Sequence, residues 1–161
     1  MPTETAQILA TGFSLLRLQQ ADCPRTQKGE TRGHFNPKHP SCIWARETLG
    51  NFNSLLYHGL SLCEGYATRY KKIHDAMRFL EWVDKNVGDC EVKSGAETRL
   101  RLAMPEKYKV YQEDYKCYQF YVRSEKSYSL WPNLNKIPDW WGEKSNKWVD
   151  KSFINGQYTK R

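Results

Sequence analysis

Apolar positions recur at close to helical spacing in several stretches of the chain. Ile8, Leu9, Phe13 and Leu16 supply the first stripe and predict a helix over 4–20, with Thr3 as N-cap and Glu4 in the first turn. Over 21–40 the periodicity is lost. Pro24, Gly29, Gly33, Pro37 and Pro40 punctuate this stretch and predict a long loop, rich in Arg25, Lys28, Arg32, His34, Lys38 and His39. Ser41 is placed to cap a short turn carrying Ile43 and Trp44, and a longer helix follows from Thr48 to Tyr70. On it Asn51, Leu55, His58, Leu62 and Arg69 share one face, and Phe52, Leu56, Leu60 and Cys63 form the neighbouring apolar stripe. Ile73 to Val83 reads as a further helix with Met77, Leu80 and Trp82.

Residues 84–107 are irregular, broken by Gly88, Gly95 and Pro105, and the alternation Arg99-Leu100-Arg101-Leu102 predicts a short strand. Helical spacing returns over 111–130, with Tyr111, Tyr115, Tyr118 and Val122 on one stripe and Gln119, Arg123 and Lys126 on another. Asn155-Gly156, between Phe153-Ile154 and Tyr158, predicts a small hairpin. The pattern predicts a mainly α, compact, single-domain helical bundle over 1–141 with long irregular loops. A basic, mobile tail over 142–161 carries the small C-terminal hairpin.

Composition narrows the classes. The 161 residues, 39% of them hydrophobic, suffice for one core. Apolar runs of only a few residues fall far short of the roughly 20 needed to span a bilayer, so no membrane role is expected. Met1-Pro2-Thr3-Glu4 lacks the basic-then-apolar pattern of a secretory leader. The five cysteines are odd in number and widely spaced, which predicts reduced thiols and a cytoplasmic protein, with Cys63 and Cys117 as core fillers. Lys plus Arg is 25 against 18 Asp plus Glu, a net charge of +7, and this favours a polyanionic partner, nucleic acid first.

Candidate chemistry is limited. Cys23, His34, His39 and Cys42 are of zinc-binding types, but their spacing matches no finger or ribbon, and no metal or other cofactor is predicted. The chain has no Gly-x-Ser-x-Gly elbow, Walker A sequence or Gly-x-Gly-x-x-Gly loop, which argues against an ordinary hydrolase, P-loop enzyme or dinucleotide oxidoreductase. What remains is a polar cluster among aromatics. Arg46, Arg69 and Lys126 are suited to phosphates, Asn51 to a base edge, and the rings of Trp44, Tyr118 and Tyr121 to unpaired bases, with His39 and His74 nearby in sequence. These nine residues are the candidate nucleic-acid or nucleotide-binding set. The competing reading of the aromatics is that most are simply core. The two readings part on whether Arg46, Arg69, His74 and Lys126 converge on one cleft.

The same residues carry a family resemblance. Glu4-Thr5-Ala6-Gln7-Ile8-Leu9 comes first, then His39-Pro40 through Trp44 with Arg46 and Asn51. Tyr66, Arg69, Tyr70, Lys72 and His74 follow, then Ala103-Met104-Pro105-Glu106-Lys107-Tyr108-Lys109. Tyr118, Tyr121, Glu125-Lys126 and Pro138-Asp139-Trp140 complete the series. Together, in this order, they resemble a family of small phage-encoded proteins. That family is in turn distantly similar to endonuclease V, the phage pyrimidine-dimer DNA glycosylase. The resemblance implies a compact helical fold, an N-terminal α-amine attacking the sugar C1′ to form a Schiff base, an assisting Glu on the first long helix and an extruded base. It matches Glu4 to the catalytic carboxylate and puts Arg46, Arg69, His74 and Lys126 on the DNA face. The chain departs from the pattern at three places. A segment with an Asp-Lys-His stretch precedes the catalytic Glu in the family, whereas Met1-Pro2-Thr3 stand before Glu4 here, which leaves the nucleophile unassigned. Gly65 replaces an acidic residue and Gln119 replaces Arg.

Three functions therefore compete. The first is a phage-type DNA-binding protein of the glycosylase kind, active or degenerate. The second is a phage accessory protein that binds a host protein in the host cytoplasm, with exposed Trp and Tyr as anchors. The third is a nucleotide-binding, anti-defence pocket.

Overall fold

The computed structural model describes residues 2–34, 36–125 and 139–141, and the backbone of 153–154 and 157–158. Helices dominate them: α1 (Pro2–Ala10), α2 (Leu15–Gln19), α3 (Pro40–Glu47), α4 (Leu49–Tyr70), α5 (Ala76–Lys85) and α6 (Asp114–Glu125). Short 3₁₀ turns stand at Val87–Asp89, Glu106–Tyr108 and Asp139–Trp141. The protein is mainly α, and no described helix is long and apolar enough to cross a membrane. The chain divides into two compact units, Met1–Ala103 and Met104–Arg161.

In the first unit α4 is the central helix, packed against α1, α3 and α5. Leu9, Phe13, Phe52, Leu56, Phe79, Leu80 and Val83 are sealed in its core. Phe13 packs against the rings of Phe52 and Trp82, with centroids 6.0 and 5.2 Å apart. The limits of α4 follow the sequence closely, because Thr48 caps it: its Oγ1 accepts the Asn51 N–H at 3.1 Å.

The expected helix over 4–20 is instead two helices. Thr11, Gly12 and Phe13 donate their N–H groups to carbonyls three residues back, which tightens the chain out of α geometry. Ser14 then starts α2 as a side-chain cap on the Arg17 N–H. This restart turns Leu16 away from the predicted stripe, and it is 77% exposed. The expected helix over 73–83 begins later, at Ala76, and leaves Ile73 outside. Arg99–Leu102 forms no strand. Its neighbours run as an irregular segment that crosses the start of α4.

Asn51 holds that crossing. Its side chain is fully buried. Its Nδ2 donates to Trp44 O at 2.8 Å and to Thr98 Oγ1 at 2.9 Å, and its Oδ1 accepts the Thr98 N–H at 2.7 Å. Beside it the Leu49 N–H donates to Lys93 O and the Gly50 N–H to Gly95 O, at 2.8 and 2.9 Å. The segment therefore fills helix-end amides that have no partner within the helix. Only glycine fits at position 50, where a Cβ would stand 2.3 Å from Glu97 N. The expected base-reading role of Asn51 is thus corrected: its amide is used up inside the fold.

In the second unit Met104, Tyr108, Cys117 and Trp141 are buried. The Tyr108 ring meets Phe120 and Tyr121 edge-on, with centroids 5.4 and 5.2 Å apart, and its hydroxyl donates to Glu125. Strands β1 (Phe153–Ile154) and β2 (Gln157–Tyr158) pair antiparallel, Phe153 opposite Tyr158, where the sequence predicts a hairpin. The rest of the expected tail over 142–161 lies outside the described residues, as do Lys126 and the helix end predicted over 126–130.

Two predictions follow from the packing. Asn51→Leu orphans the Trp44 carbonyl and the Thr98 N–H, and should lower stability in urea denaturation by about 2–4 kcal/mol. A mutant as stable as wild type would show that the crossing holds without the amide. Glycine-to-alanine changes on α4 should split in sign. At Gly59 the new Cβ would stand 2.7 Å from Thr5 Cγ2 and 3.1 Å from Leu80, and overpacking should cost about 1–3 kcal/mol. At Gly65 the Cβ meets nothing within 4 Å, and Ala should stabilise by about 0.5–1 kcal/mol. Equal effects at the two sites would contradict the close approach of α1 and α5 at Gly59.

Candidate functional site

The second half of α4 builds a pocket. Two rows at a spacing of four run along it, Ser61-Gly65-Arg69 and Leu62-Tyr66-Tyr70, and all six residues line a cavity of about 440 Å³. His74, from the turn after α4, and Pro2, at the start of α1, supply the other walls. Pro2 lies there because α1 runs antiparallel to α4: Thr5 touches Gly59 and Gly12 faces Phe52. The volume is in the range of small-ligand sites.

The walls are chemically uneven. The Tyr66 ring lies 4.7 Å from that of Tyr70 and 4.9 Å, edge-on, from that of His74. His74 is fixed further by its Nδ1, which accepts the Ala76 N–H at 3.1 Å. Tyr70 is 54% exposed, so one ring of the set is open to a guest. The Arg69 side chain has neither hydrogen bond nor ion pair among the described residues. No carboxylate is among the described residues that line the cavity, and Gly65 adds no side chain to its wall. The pocket thus offers a cation, an imidazole, hydroxyls and aromatic faces. That set suits a ligand with an anionic group and a flat ring.

Of the first-unit residues expected to form the site, Arg69 and His74 meet here, and Glu4, His39, Trp44, Arg46 and Asn51 do not line the cavity. Arg46 is held by backbone carbonyls: its Nε donates to Cys42 O at 3.1 Å and its Nη2 to Pro37 O at 2.6 Å. Trp44 is buried and its indole N–H donates to Thr98 O at 3.2 Å. His39 is the N-cap of α3, its Nδ1 accepting the Ser41 N–H. Glu4 is exposed on α1 and does not line the cavity. Tyr118 and Tyr121 stand on α6 in the second unit, and Lys126 is outside the described residues. The expected convergence of Arg46 with Arg69 and His74 is therefore corrected: a carbonyl of α3 itself and one of the loop before it hold the Arg46 guanidinium.

Tyr66, Tyr70 and Ser61 are pocket residues that the candidate set lacks. Their signal was present in the two rows of four, which place them on the face shared by Leu62 and Arg69.

Other cations are committed to structure. Arg32, 7% exposed in the 21–40 loop, pairs with Asp75 at 2.8 Å and lies over the Phe79 ring. Its buried Nε meets no acceptor among the described residues. His34 Nε2 bonds Phe13 O at 2.7 Å. These contacts pin a loop that composition alone marks as free. No group of three or more metal-binding side chains occurs among the described residues. Cys23, Cys42 and Cys63 are buried, and burial pushes their thiols up, away from the reactive thiolate.

Arg17 is the most heavily bonded cation. It stacks over Trp82 and pairs with Asp22 and Asp89, at 2.8 and 2.9 Å. Hydrogen bonds from Arg17 and then from the Trp82 indole hold the Asp22 carboxyl at about 2, below its ordinary 3.8. A depressed carboxyl stabilises the fold above its unfolded pKa and loses that contribution as pH falls through the folded value. The stability gap between wild type and Asp22→Asn should therefore be widest above about pH 4 and close as pH falls towards about 2. Urea midpoints across that range check it, and a gap independent of pH would contradict the pairing.

Comparison of the chain with protein-family models, with curated proteins and with solved structures gave no match.

Proposed function

We propose that the chain binds nucleic acid and seats one unstacked nucleotide in the α4 pocket. One observation carries this reading: a cavity of about 440 Å³ gathers Arg69, His74, Tyr66 and Tyr70, with no carboxylate among the described residues that line it. In the proposed complex the base lies against the open Tyr70 ring, and Arg69 meets the phosphate next to it. The net charge of +7 supports a polyanionic partner at longer range. The likeness to phage proteins of the pyrimidine-dimer glycosylase kind points the same way, since such enzymes work on an extruded nucleotide. The proposal is one of binding. Glu4 stands outside the cavity, so no chemical step is assigned to it. A cytoplasmic setting belongs to the same proposal and draws support from five free cysteines.

A free nucleotide is the second reading, favoured by the modest size of the cavity. Fluorescence anisotropy with labelled single-stranded and abasic duplex DNA, with mononucleotides as competitors, separates the two. Wild type should bind both DNAs at low salt and weaken as salt rises. Arg69→Ala should weaken binding about tenfold and reduce the salt slope by about 1, with no change in melting temperature. Tight mononucleotide binding without DNA binding would replace the first reading with the second. Unchanged affinity in Arg69→Ala would remove the pocket from either.

A further inference from the structure

We propose that the turn from Lys71 to His74 is a wedge, and that Ile73 is the side chain that enters a base step and opens the stack beside the pocket. This inference rests on the nucleic-acid reading above. Ile73 is 78% exposed. Its neighbours in sequence, Tyr70 and His74, both line the cavity. Lys71 and Lys72, both exposed, precede it. A large apolar side chain left in water beside two cations contributes little to the core, so folding does not explain it.

The turn is held at both ends. Lys71 sits at φ 55° and ψ 33°, the left-handed conformation that glycine usually takes after a helix. Its N–H donates to Ala67 O at 2.8 Å. On the far side His74 O accepts the Met77 N–H at 2.9 Å, and the His74 ring is fixed against Tyr66. A strained, non-glycine residue held by its surroundings is the kind of outlier from which function is inferred. The β-branch of Ile73 adds stiffness at χ1.

An apolar tip preceded by two lysines can do what apolar wedges do between base steps. The lysines hold the phosphates, the isoleucine separates two bases, and the displaced nucleotide finds the pocket next to the tip. No bond forms or breaks in this step. Phosphate contacts and stacking in the pocket offset the loss of stacking in the duplex.

The test uses a duplex with 2-aminopurine opposite an abasic site and fluorescein at one end. Anisotropy reports binding, and 2-aminopurine fluorescence, quenched by stacking, reports extrusion. At saturating protein, wild type should raise both, the second several-fold. Ile73→Ala should still raise anisotropy but lose most of the 2-aminopurine signal, and Ile73→Leu should restore it. Because the side chain is exposed, both variants should match wild type in circular dichroism and melting temperature. Anisotropy that rises without 2-aminopurine fluorescence, or a full signal in Ile73→Ala, overturns the wedge and leaves the binding reading standing. No anisotropy change with wild type overturns the binding reading, and the wedge with it.

Discussion

The side-chain amide of Asn51, sealed from water, is the contact on which the arrangement of the first unit depends. A buried amide without partners would be costly. Here α3 supplies one partner through the Trp44 carbonyl, and Thr98 supplies the rest through its N–H and hydroxyl. Three pieces of chain with little periodicity in common are thereby fixed at one point. The Leu49 and Gly50 amides, taken by Lys93 and Gly95, extend the same crossing. The start of α4, otherwise the natural place for an anion, is filled by the chain itself.

That commitment divides α4 into two halves with different work. From Leu49 to Gly59 the helix is bound by α1, α3, α5 and the crossing segment. From Ser61 to Tyr70 it presents two rows of side chains to a cavity. The division extends to charge. Arg17, Arg32 and Arg46 are held by carboxylates or carbonyls within the fold. Arg69, Lys71 and Lys72 gather at the C-terminal end of α4, where the helix dipole favours cations. The basic surplus is therefore partly structural, and Arg69, Lys71 and Lys72 form a share of it at the pocket end of α4.

Sequence made some of this legible. The helical spacing of Phe52, Leu56, Leu60 and Cys63 gives α4 from Thr48 to Tyr70 almost to the residue, and in the structure the Thr48 side chain caps its start. The helix over 4–20 is misread because Phe13 keeps the apolar spacing while the backbone at Thr11–Phe13 tightens. Spacing reports which face a residue takes, not what its side chain bonds. Asn51 thus looks equally fit to read a base or to tie a loop, and the choice depends on Thr98, distant in sequence. Arg46 is misread for a similar reason: its partners are backbone carbonyls, which carry no sequence signature. Ser61, Tyr66 and Tyr70 were legible in principle, since they fall in register with Leu62 and Arg69. They take on meaning only once α1 is seen to close the far wall with Pro2.

The central claim is that the second half of α4 is the binding surface and the first half is scaffold. Backbone amide shift mapping of ¹⁵N-labelled protein, titrated with a short single-stranded oligonucleotide, tests it most directly. The account requires the largest changes between Ser61 and His74, with Leu49 to Leu56 nearly unmoved. Changes confined to residues after Met104, or none along α4 at saturation, would contradict it.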